Sequence, residues 1–244
     1  MLEIQYCEVM GLRKAIHGMR NAMNSWDKSD SKELFCDETD IECWDCPYRY
    51  EGCDQNPYTK KPFIGPADMK LAKNLIKAGS SDRKFLRMIH VQVDILAPLY
   101  WWKESDQYKI GTTTNSCSTM HTLHKRELTI EDFSHEHLTG DGISSLESTI
   151  GQINFARQAF LETKDMSYWQ EMIQLLPSSF DQLRTWDLDY ETLLSIYFQR
   201  RNHKLIEWKQ FCRWIEKLPY MEEFIEVLDK KERNNDGSQI KDNS

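Results

Sequence analysis

The sequence predicts a mixed α/β (α+β) protein, and two patterns carry that prediction. Residues of the N-terminal half alternate between apolar and polar in short runs, most clearly at Val91, Val93 and Ile95, as half-buried strands do. The C-terminal half instead repeats its apolar residues every three or four positions, which is the spacing of one helix face. With 244 residues, 40% of them hydrophobic, the chain can bury a sizeable core.

The N-terminal elements begin with a strand that enters a helix. Residues 2–9 alternate loosely enough for a strand, and residues 11–24 then show helical spacing. Another helix is predicted from Pro66 to about Gly79, because proline suits the first helical turn and glycine suits the position after the last one.

A second strand is predicted over residues 88–95, and the aromatic segment after it predicts a short helix. Trp101 and Trp102 in that segment are expected to pack in the core, with stacking on a flavin or a base as the alternative. Residues 111–118 are small and rich in hydroxyl groups that can hydrogen-bond a ligand, so they form the most site-like loop in the sequence.

Three apolar helix faces are predicted in the C-terminal half. Their members are Leu146, Ile150, Ile153 and Phe160, then Leu193, Ile196 and Tyr197, then Trp208, Phe211, Cys212 and Ile215. Residues 183–188 have the composition of one more strand. Beyond Lys230 almost nothing can be buried, which predicts a single domain over 1–230 and a disordered tail over 231–244.

The charge balance excludes some classes of partner. Lys and Arg number 31 against 39 Asp and Glu, a formal net charge of −8, so the overall field does not favour non-specific binding to nucleic acid or to an anionic membrane. No stretch approaches the roughly 20 apolar residues that span a bilayer, and the N-terminus lacks the pattern of a signal peptide. A cytoplasmic protein is therefore expected.

A cysteine-rich insertion at about 31–62 is predicted to bind a metal. Its cysteines are separated by six, two and six residues, and they are Cys36, Cys43, Cys46 and Cys53. Four thiolates satisfy a tetrahedral zinc site, and an iron–sulfur cluster uses the same ligands, so the spacing leaves both open. Coordination would order a long segment that has few aliphatic residues to pack. Free thiols or two disulfides are the alternatives.

Cationic residues cluster near the end of one predicted helix. Arg200, Arg201, His203 and Lys204 lie where cations interact favourably with the last carbonyl groups of a helix. The residues alone therefore allow either a structural role or the binding of an anion.

The order of several motifs resembles the flavin-dependent thymidylate synthases. The matching segments lie on both sides of the insertion and cover nearly the whole chain apart from the insertion and the tail. In chain order they are Glu8-Val9-Met10-Gly11, Ala97-Pro98, Asn115 to Ser118, Leu176-Pro177, Trp186, and the helix with Gln199-Arg200-Arg201 and Trp208. The agreement in order across the chain makes the resemblance specific, since each motif alone is weak.

The resemblance implies a fold, a reaction and a set of ligands. The fold would be a central sheet flanked by helices, in a homotetramer whose sites form between subunits. The cofactor would be FAD, with folate and NADPH as co-substrates, and the reaction would be a methyl transfer to C5 of a pyrimidine nucleotide such as dUMP.

The resemblance also assigns roles to residues of this chain. The implied catalytic residues are Ser118 and Asn115. The implied substrate-binding residues are Arg200, with Arg201 as the alternate register, Glu104 and Ser116. The implied cofactor-binding residues are Gln107, Tyr108, Lys109 and His203.

The signature motif departs from the pattern of the family. The family's Arg-His-Arg, which holds flavin and folate, is replaced by Gln107, Tyr108 and Lys109. Met120 and His121 stand in place of its Arg-Tyr, and Ile173 replaces another substrate-binding arginine. Each missing guanidinium removes charge-assisted hydrogen bonds to a phosphate.

These losses favour a rival reading, in which a non-catalytic nucleotide- or partner-binding protein kept the fold and gained a structural metal in the insertion. The retained Asn115, Ser118 and Arg200 favour a working enzyme. Because no base is visibly paired with Ser118, we expect it to donate or accept hydrogen bonds rather than to act as a nucleophile.

Overall fold

The computed structural model describes residues 2–35, 38, 39, 45–48 and 60–239, and of residues 232 and 234–239 only the backbone. Strands and helices are mixed along the chain, as the sequence predicts. The strands are β1 (Glu3–Met10), β2 (Lys32–Leu34), β3 (Lys61–Phe63), β4 (His90–Pro98), β5 (Thr112–Ser116) and β6 (Asp181–Asp189). The helices are α1 (Leu12–Met19), α2 (Pro66–Ala78), α3 (Leu99–Ser105), α4 (Thr119–Thr122), α5 (Gly140–Thr163), α6 (Met166–Leu175), α7 (Tyr190–Arg200), α8 (Ile206–Glu216) and α9 (Met221–Gln239).

Four of these strands form the larger sheet, in the order β1, β4, β6, β5. The strands predicted over 2–9, 88–95 and 183–188 are confirmed as β1, β4 and β6. β5 lies in the segment that was predicted to be a loop. Its residues are small and mostly exposed, so its pairing with β6, rather than an apolar pattern of its own, makes it a strand.

A two-stranded antiparallel sheet brackets the predicted insertion. β2 pairs with β3 in a register that sets Leu34 opposite Lys61. Tyr48 of the insertion is buried, and its hydroxyl donates a hydrogen bond to the carbonyl oxygen of Pro62. The Tyr48 ring meets the Phe63 ring edge to face, with centroids 5.6 Å apart. The insertion therefore leaves and re-enters the fold at neighbouring strands.

The chain divides into two compact units. The first comprises Met1–Gln5, Val93–Lys109 and Thr113–Trp186. The second comprises Tyr6–Gln92, Ile110–Thr112 and Asp187–Ser244. The single domain predicted over 1–230 stays a prediction.

Helices α5 and α6 build the core of the first unit. The buried members of this core are Leu123, Leu128, Phe133, Leu146, Ile150, Ile153, Ala156 and Met172. Phe160 packs against them as a partly buried residue, so the apolar face predicted for α5 is confirmed. Asn154 holds the loop before α5: its amide nitrogen donates to the carbonyl oxygen of Leu128 (2.8 Å), and its amide oxygen accepts from the Leu128 N–H (2.9 Å).

Helices α7, α8 and α9 bury apolar faces in the second unit. The predicted faces of α7 and α8 are buried at Leu193, Ile196, Tyr197, Trp208, Phe211, Cys212 and Ile215. α9 extends over Met221–Gln239, and the disordered tail expected over 231–244 stays a prediction. Lys231, Glu232 and Arg233 are good helix formers, and Lys230 pairs with Glu226 one turn earlier. Among the described residues, no helix has both the length and the apolar composition of a membrane span.

A buried ion pair links the end of α1 to α2 in the second unit. Asp68 is fully buried, and one of its oxygens accepts a hydrogen bond of 2.6 Å from Nε of Arg20. The other oxygen accepts from the Ser29 hydroxyl (2.6 Å) and from the hydroxyl (2.6 Å) and N–H (3.2 Å) of Ser31. Burial alone would raise the pKa of Asp68, but these hydrogen bonds and the Arg20 charge hold it below its usual value.

Candidate functional site

Two tryptophans fix the short helix that precedes the predicted site. The side chains of Trp101 and Trp102 on α3 are fully buried, and their rings meet at a centroid distance of 4.8 Å. The indole N–H of Trp102 donates to the carbonyl oxygen of Gln182 on β6 (2.9 Å). The packing role expected for both tryptophans is therefore confirmed.

The turn after α3 brings four of the predicted site residues together. The side-chain amide of Gln107 donates to the carbonyl oxygen of Glu104 (2.6 Å), and the N–H of Tyr108 donates to that of Ser105 (3.0 Å). Gln107 and Lys109 are exposed, whereas Glu104 and Tyr108 are half-buried. Lys109 thus presents a cation to solvent at the end of this turn.

Strand β5 and the start of α4 carry three more of the predicted residues. Asn115 and Ser116 are exposed on β5, an edge strand of the larger sheet. The N–H of Cys117 donates to the carbonyl oxygen of Leu183 and continues the pairing with β6 (2.9 Å). Ser118 precedes α4 without a capping bond from its side chain. In the described part of the chain no base is hydrogen-bonded to its hydroxyl, which fits a hydrogen-bonding role better than a nucleophilic one.

Two side chains on β6 reach both of these segments, and sequence reasoning missed them. Nη1 of Arg184 donates to the Asp106 carboxylate (2.9 Å), and Nε of Arg184 donates to the side-chain oxygen of Gln182 (3.0 Å). The amide nitrogen of Gln182 in turn donates to the carbonyl oxygen of Cys117 (2.7 Å). The sequence did contain a signal, because Gln182 and Arg184 lie on the same face of β6 as the core residue Trp186, and polar residues on a buried face need partners.

A cavity of about 240 Å³ lies beside residues 116–118, the Ser118 segment, in the same unit. It is lined by Leu96, Cys117, Thr119, Thr122, Leu123, Arg126, Leu128, Phe180, Asp181, Gln182 and Leu183. Pockets that enclose a whole drug-sized ligand hold roughly 300 to 1,000 Å³. This cavity has room for part of a nucleotide and not for a dinucleotide.

The predicted arginines belong to the second unit, where their contacts differ. The guanidinium of Arg200, at the end of α7, lies over the Trp208 ring at 4.8 Å. Arg201 forms an ion pair with Asp229 (2.5 Å) and lies over the Phe198 ring at 4.6 Å. Arg201 is therefore tied to α9 by its ion pair, and Arg200 lies against the Trp208 ring of α8.

His203 and Tyr197, near these arginines in the sequence, make hydrogen bonds within the second unit. Nδ1 of His203 accepts a hydrogen bond from the N–H of Leu205 (3.2 Å), so a neutral ring carries its proton on Nε2. The Tyr197 hydroxyl donates to Glu216 (2.7 Å). Burial, and then this hydrogen bond, raises the pKa of Tyr197 to about 12.

Two solved structures share the architecture of this chain. Both are of the flavin-dependent thymidylate synthase of Helicobacter pylori with FAD and dUMP, and each matches with a TM-score of 0.59 and 13% sequence identity. They cover 91% and 92% of this chain and each 97% of its own. The fold is that of the flavin-dependent thymidylate synthases. No family model matches the sequence, and no curated protein matches it.

The resemblance read from the sequence is thereby confirmed as a likeness to the flavin-dependent thymidylate synthase fold. At 13% identity the match establishes the fold alone, so the roles of individual residues stay predictions. The predicted residues in the first unit are Glu104, Gln107, Tyr108, Lys109, Asn115, Ser116 and Ser118, and those in the second are Arg200, Arg201 and His203.

Three of the four predicted metal ligands, Cys36, Cys43 and Cys53, lie outside the described residues. The fourth, Cys46, is half-buried and forms no disulfide. Within the described ranges, no three His, Cys, Asp or Glu side chains are grouped so that they could hold a metal ion. Zinc or an iron–sulfur cluster in the insertion stays a prediction.

Proposed function

We propose that the protein is a flavin-dependent enzyme that transfers a one-carbon unit to C5 of a pyrimidine nucleotide, dUMP or a related one. The observation that carries the proposal is the match in fold, over 91% of the chain, to a thymidylate synthase that holds FAD and dUMP. A homotetramer in the cytoplasm, with folate and NADPH as co-substrates, belongs to the same proposal.

The turn after α3 is the part of the first unit that we propose for FAD. The diphosphate of a dinucleotide needs positive charge and hydrogen-bond donors. The exposed ammonium of Lys109 supplies the charge, and the side-chain amide of Gln107 and the phenol of Tyr108 supply donors. These residues fit the group with fewer charges than Arg-His-Arg would, so a weaker complex is expected. FAD would supply the reducing equivalents, while the chain binds and orients it.

We propose nucleotide contacts in each of the two units. In the first unit, Glu104 and Ser116 are proposed substrate contacts, and Asn115 and Ser118 are proposed to orient the base through hydrogen bonds. In the second unit, Arg200 is proposed to bind the phosphate. Stacking on a buried tryptophan limits the orientations of its guanidinium, which reduces the entropy lost when an anion binds.

The first test is an absorption spectrum of protein purified without oxygen, followed by titration with FAD and with dUMP. The bands of an oxidised flavin, and a rise in melting temperature with dUMP, are the expected results. A ligand at about 100 times its Kd adds roughly 2.7 kcal/mol to the free energy of unfolding, which a melting curve resolves.

A matched pair of variants tests the assignment of the turn. Lys109→Ala is expected to weaken FAD binding, whereas Lys103→Ala, which removes an exposed lysine of α3 nearby, is not. Equal losses in the two variants would contradict the assignment and indicate a general charge effect.

The rival function is distinguished by the same titrations. A colourless protein that takes up no FAD but is stabilised by dUMP is a non-catalytic nucleotide-binding protein with the fold. A protein that responds to neither ligand contradicts both the enzyme and the nucleotide-binding proposal, and leaves partner binding as its function.

A further inference from the structure

We propose that Arg184 is a positioning residue that couples the FAD-binding turn to the Ser118 segment. This inference rests on the proposed function. Through Asp106 on one side and Gln182 on the other, Arg184 would set the spacing between two segments of the first unit. The side chains of Arg184 and Gln182 on β6 connect the two segments by hydrogen bonds.

The first end of the connection lies at the turn. Asp106 directly precedes Gln107, Tyr108 and Lys109, and its carboxylate accepts from Nη1 of Arg184 at 2.9 Å. The backbone of the turn is closed by the N–H of Asp106, which donates to the carbonyl oxygen of Trp102 (2.9 Å). Holding the Asp106 side chain therefore holds the start of the proposed FAD-binding residues.

The second end lies at the segment between Ser116 and Ser118. The Gln182 amide nitrogen donates to the carbonyl oxygen of Cys117 at 2.7 Å, and its oxygen accepts from Nε of Arg184 at 3.0 Å. Gln182 is 7% exposed, so both halves of its amide are committed to these two bonds. A change in the position of Arg184 is thereby passed to Cys117.

The chemistry of arginine suits this position and that of lysine does not. The guanidinium directs separate N–H groups in fixed directions, here Nη1 to a carboxylate and Nε to an amide. Its plane also lies over the Trp102 ring at 4.6 Å, and the side chain is only 15% exposed. An ammonium can pair with Asp106, but it has no rigid fork that reaches Gln182 as well.

Amide hydrogen exchange of the free protein tests the coupling without any ligand. Arg184→Gln is expected to speed the exchange of the Tyr108 and Cys117 amides on the order of tenfold, since each end loses one hydrogen bond. Asp106→Asn is expected to speed the exchange of Cys117 as well as that of Tyr108, because it releases Arg184 at the far end of the connection. Arg184→Lys keeps the pair with Asp106 and is expected to affect Cys117 alone.

The matched control is Thr185→Val. Thr185 is the next residue of β6, is exposed, and donates to Asp94 (2.5 Å) rather than to either segment. Its replacement is expected to leave the exchange of both amides unchanged. The proposed coupling is overturned if Arg184→Gln changes the exchange of neither amide, if Asp106→Asn leaves the exchange of Cys117 unchanged, or if Arg184→Lys leaves both amides as in the wild-type protein. Should Arg184→Gln not fold, the lysine variant and Asp106→Asn decide the same question.

A double-mutant cycle tests whether the coupling serves binding. Asp106→Asn and Gln182→Leu are each expected to lower FAD affinity. The double variant should bind FAD no more weakly than the single variant with the lower affinity, because either change alone already breaks the connection. Additive losses would contradict the positioning role. If the wild-type protein binds no FAD, the proposed function fails, while the exchange of the two amides still decides whether Arg184 couples the segments.

Discussion

Asp68→Asn is expected to lower the free energy of unfolding by about 3 to 5 kcal/mol, the usual loss when one partner of a buried ion pair is removed. The substitution keeps the shape of the side chain and replaces one oxygen by an NH₂ group. If the remaining oxygen faces Arg20, the NH₂ group points at the N–H of Ser31. If the amide is flipped, the NH₂ group points at Nε of Arg20. Either orientation sets a donor against a donor in a buried place.

The size of this loss in stability follows from the charge of Arg20, which stays buried in the variant. Arg20 is 6% exposed and keeps its charge, so it loses its counter-ion without gaining water. For a protein of this length, each kcal/mol shifts the melting temperature by about 2 to 4 °C. The melting temperature of Asp68→Asn should therefore fall by roughly 6 to 20 °C.

Thermal unfolding followed by circular dichroism measures this difference, and Asp82→Asn is the control. Asp82 is exposed and accepts one hydrogen bond from the neighbouring Ser81 (2.9 Å). The double variant Arg20→Met with Asp68→Leu should recover part of the loss, because it leaves no buried charge, although Ser29 and Ser31 lose their acceptor. A loss in Asp68→Asn no larger than that of Asp82→Asn would refute the reasoning.

The same carboxylate predicts a dependence on pH. The folded pKa of Asp68 lies below its usual value, so its contribution to stability is present above the unfolded pKa of about 4. That contribution is lost as the pH falls through the folded pKa. The wild-type protein should therefore lose stability in acid faster than Asp68→Asn, as measured by urea unfolding at a series of pH values.

Three further changes can be measured directly. Asn154→Leu leaves the N–H and carbonyl of Leu128 without partners and should cost about 2 kcal/mol or more in urea unfolding, whereas Gln158→Ala on the exposed side of α5 should cost almost nothing. The pKa of Tyr197 is raised to about 12, so the neutral side chain stabilises the folded protein at pH values below about 10, the ordinary pKa of tyrosine. This contribution to the free energy of unfolding is lost as the pH rises toward 12, and Tyr197→Phe should reduce that alkaline loss of stability. Metal analysis of protein purified without added metal should find zinc or iron near one equivalent, and finding neither would contradict the metal site predicted for the insertion.

Elements with local signals could be predicted from the sequence. The helix predicted from Pro66 was found over Pro66–Ala78 with Gly79 after it, because both ends are marked by residues whose backbone preferences act locally. β5 carries no such mark. Its strand geometry comes from pairing with β6, which lies far along the chain, so its own composition indicated a loop.

The candidate site was predictable only in part for the same reason. The order of motifs pointed to the fold and to Arg200, with Arg201 as the alternate register, but it could not predict that Arg201 pairs with Asp229. The connection between Arg184 and Asp106 joins residues 78 positions apart. A single sequence contains no local pattern for such a contact, beyond polar residues at inward positions of a strand.

The register of β2 and β3 has a consequence for how this protein can change over generations. With Leu34 opposite Lys61 in a paired ladder, the two ends of the intervening segment are roughly one strand spacing apart, about 5 Å. Closing a loop across such a gap costs free energy that grows only with the logarithm of loop length. Changes in the length of the cysteine-rich segment should therefore cost the fold little closure entropy, provided that the contacts of Tyr48 with Pro62 and Phe63 are kept.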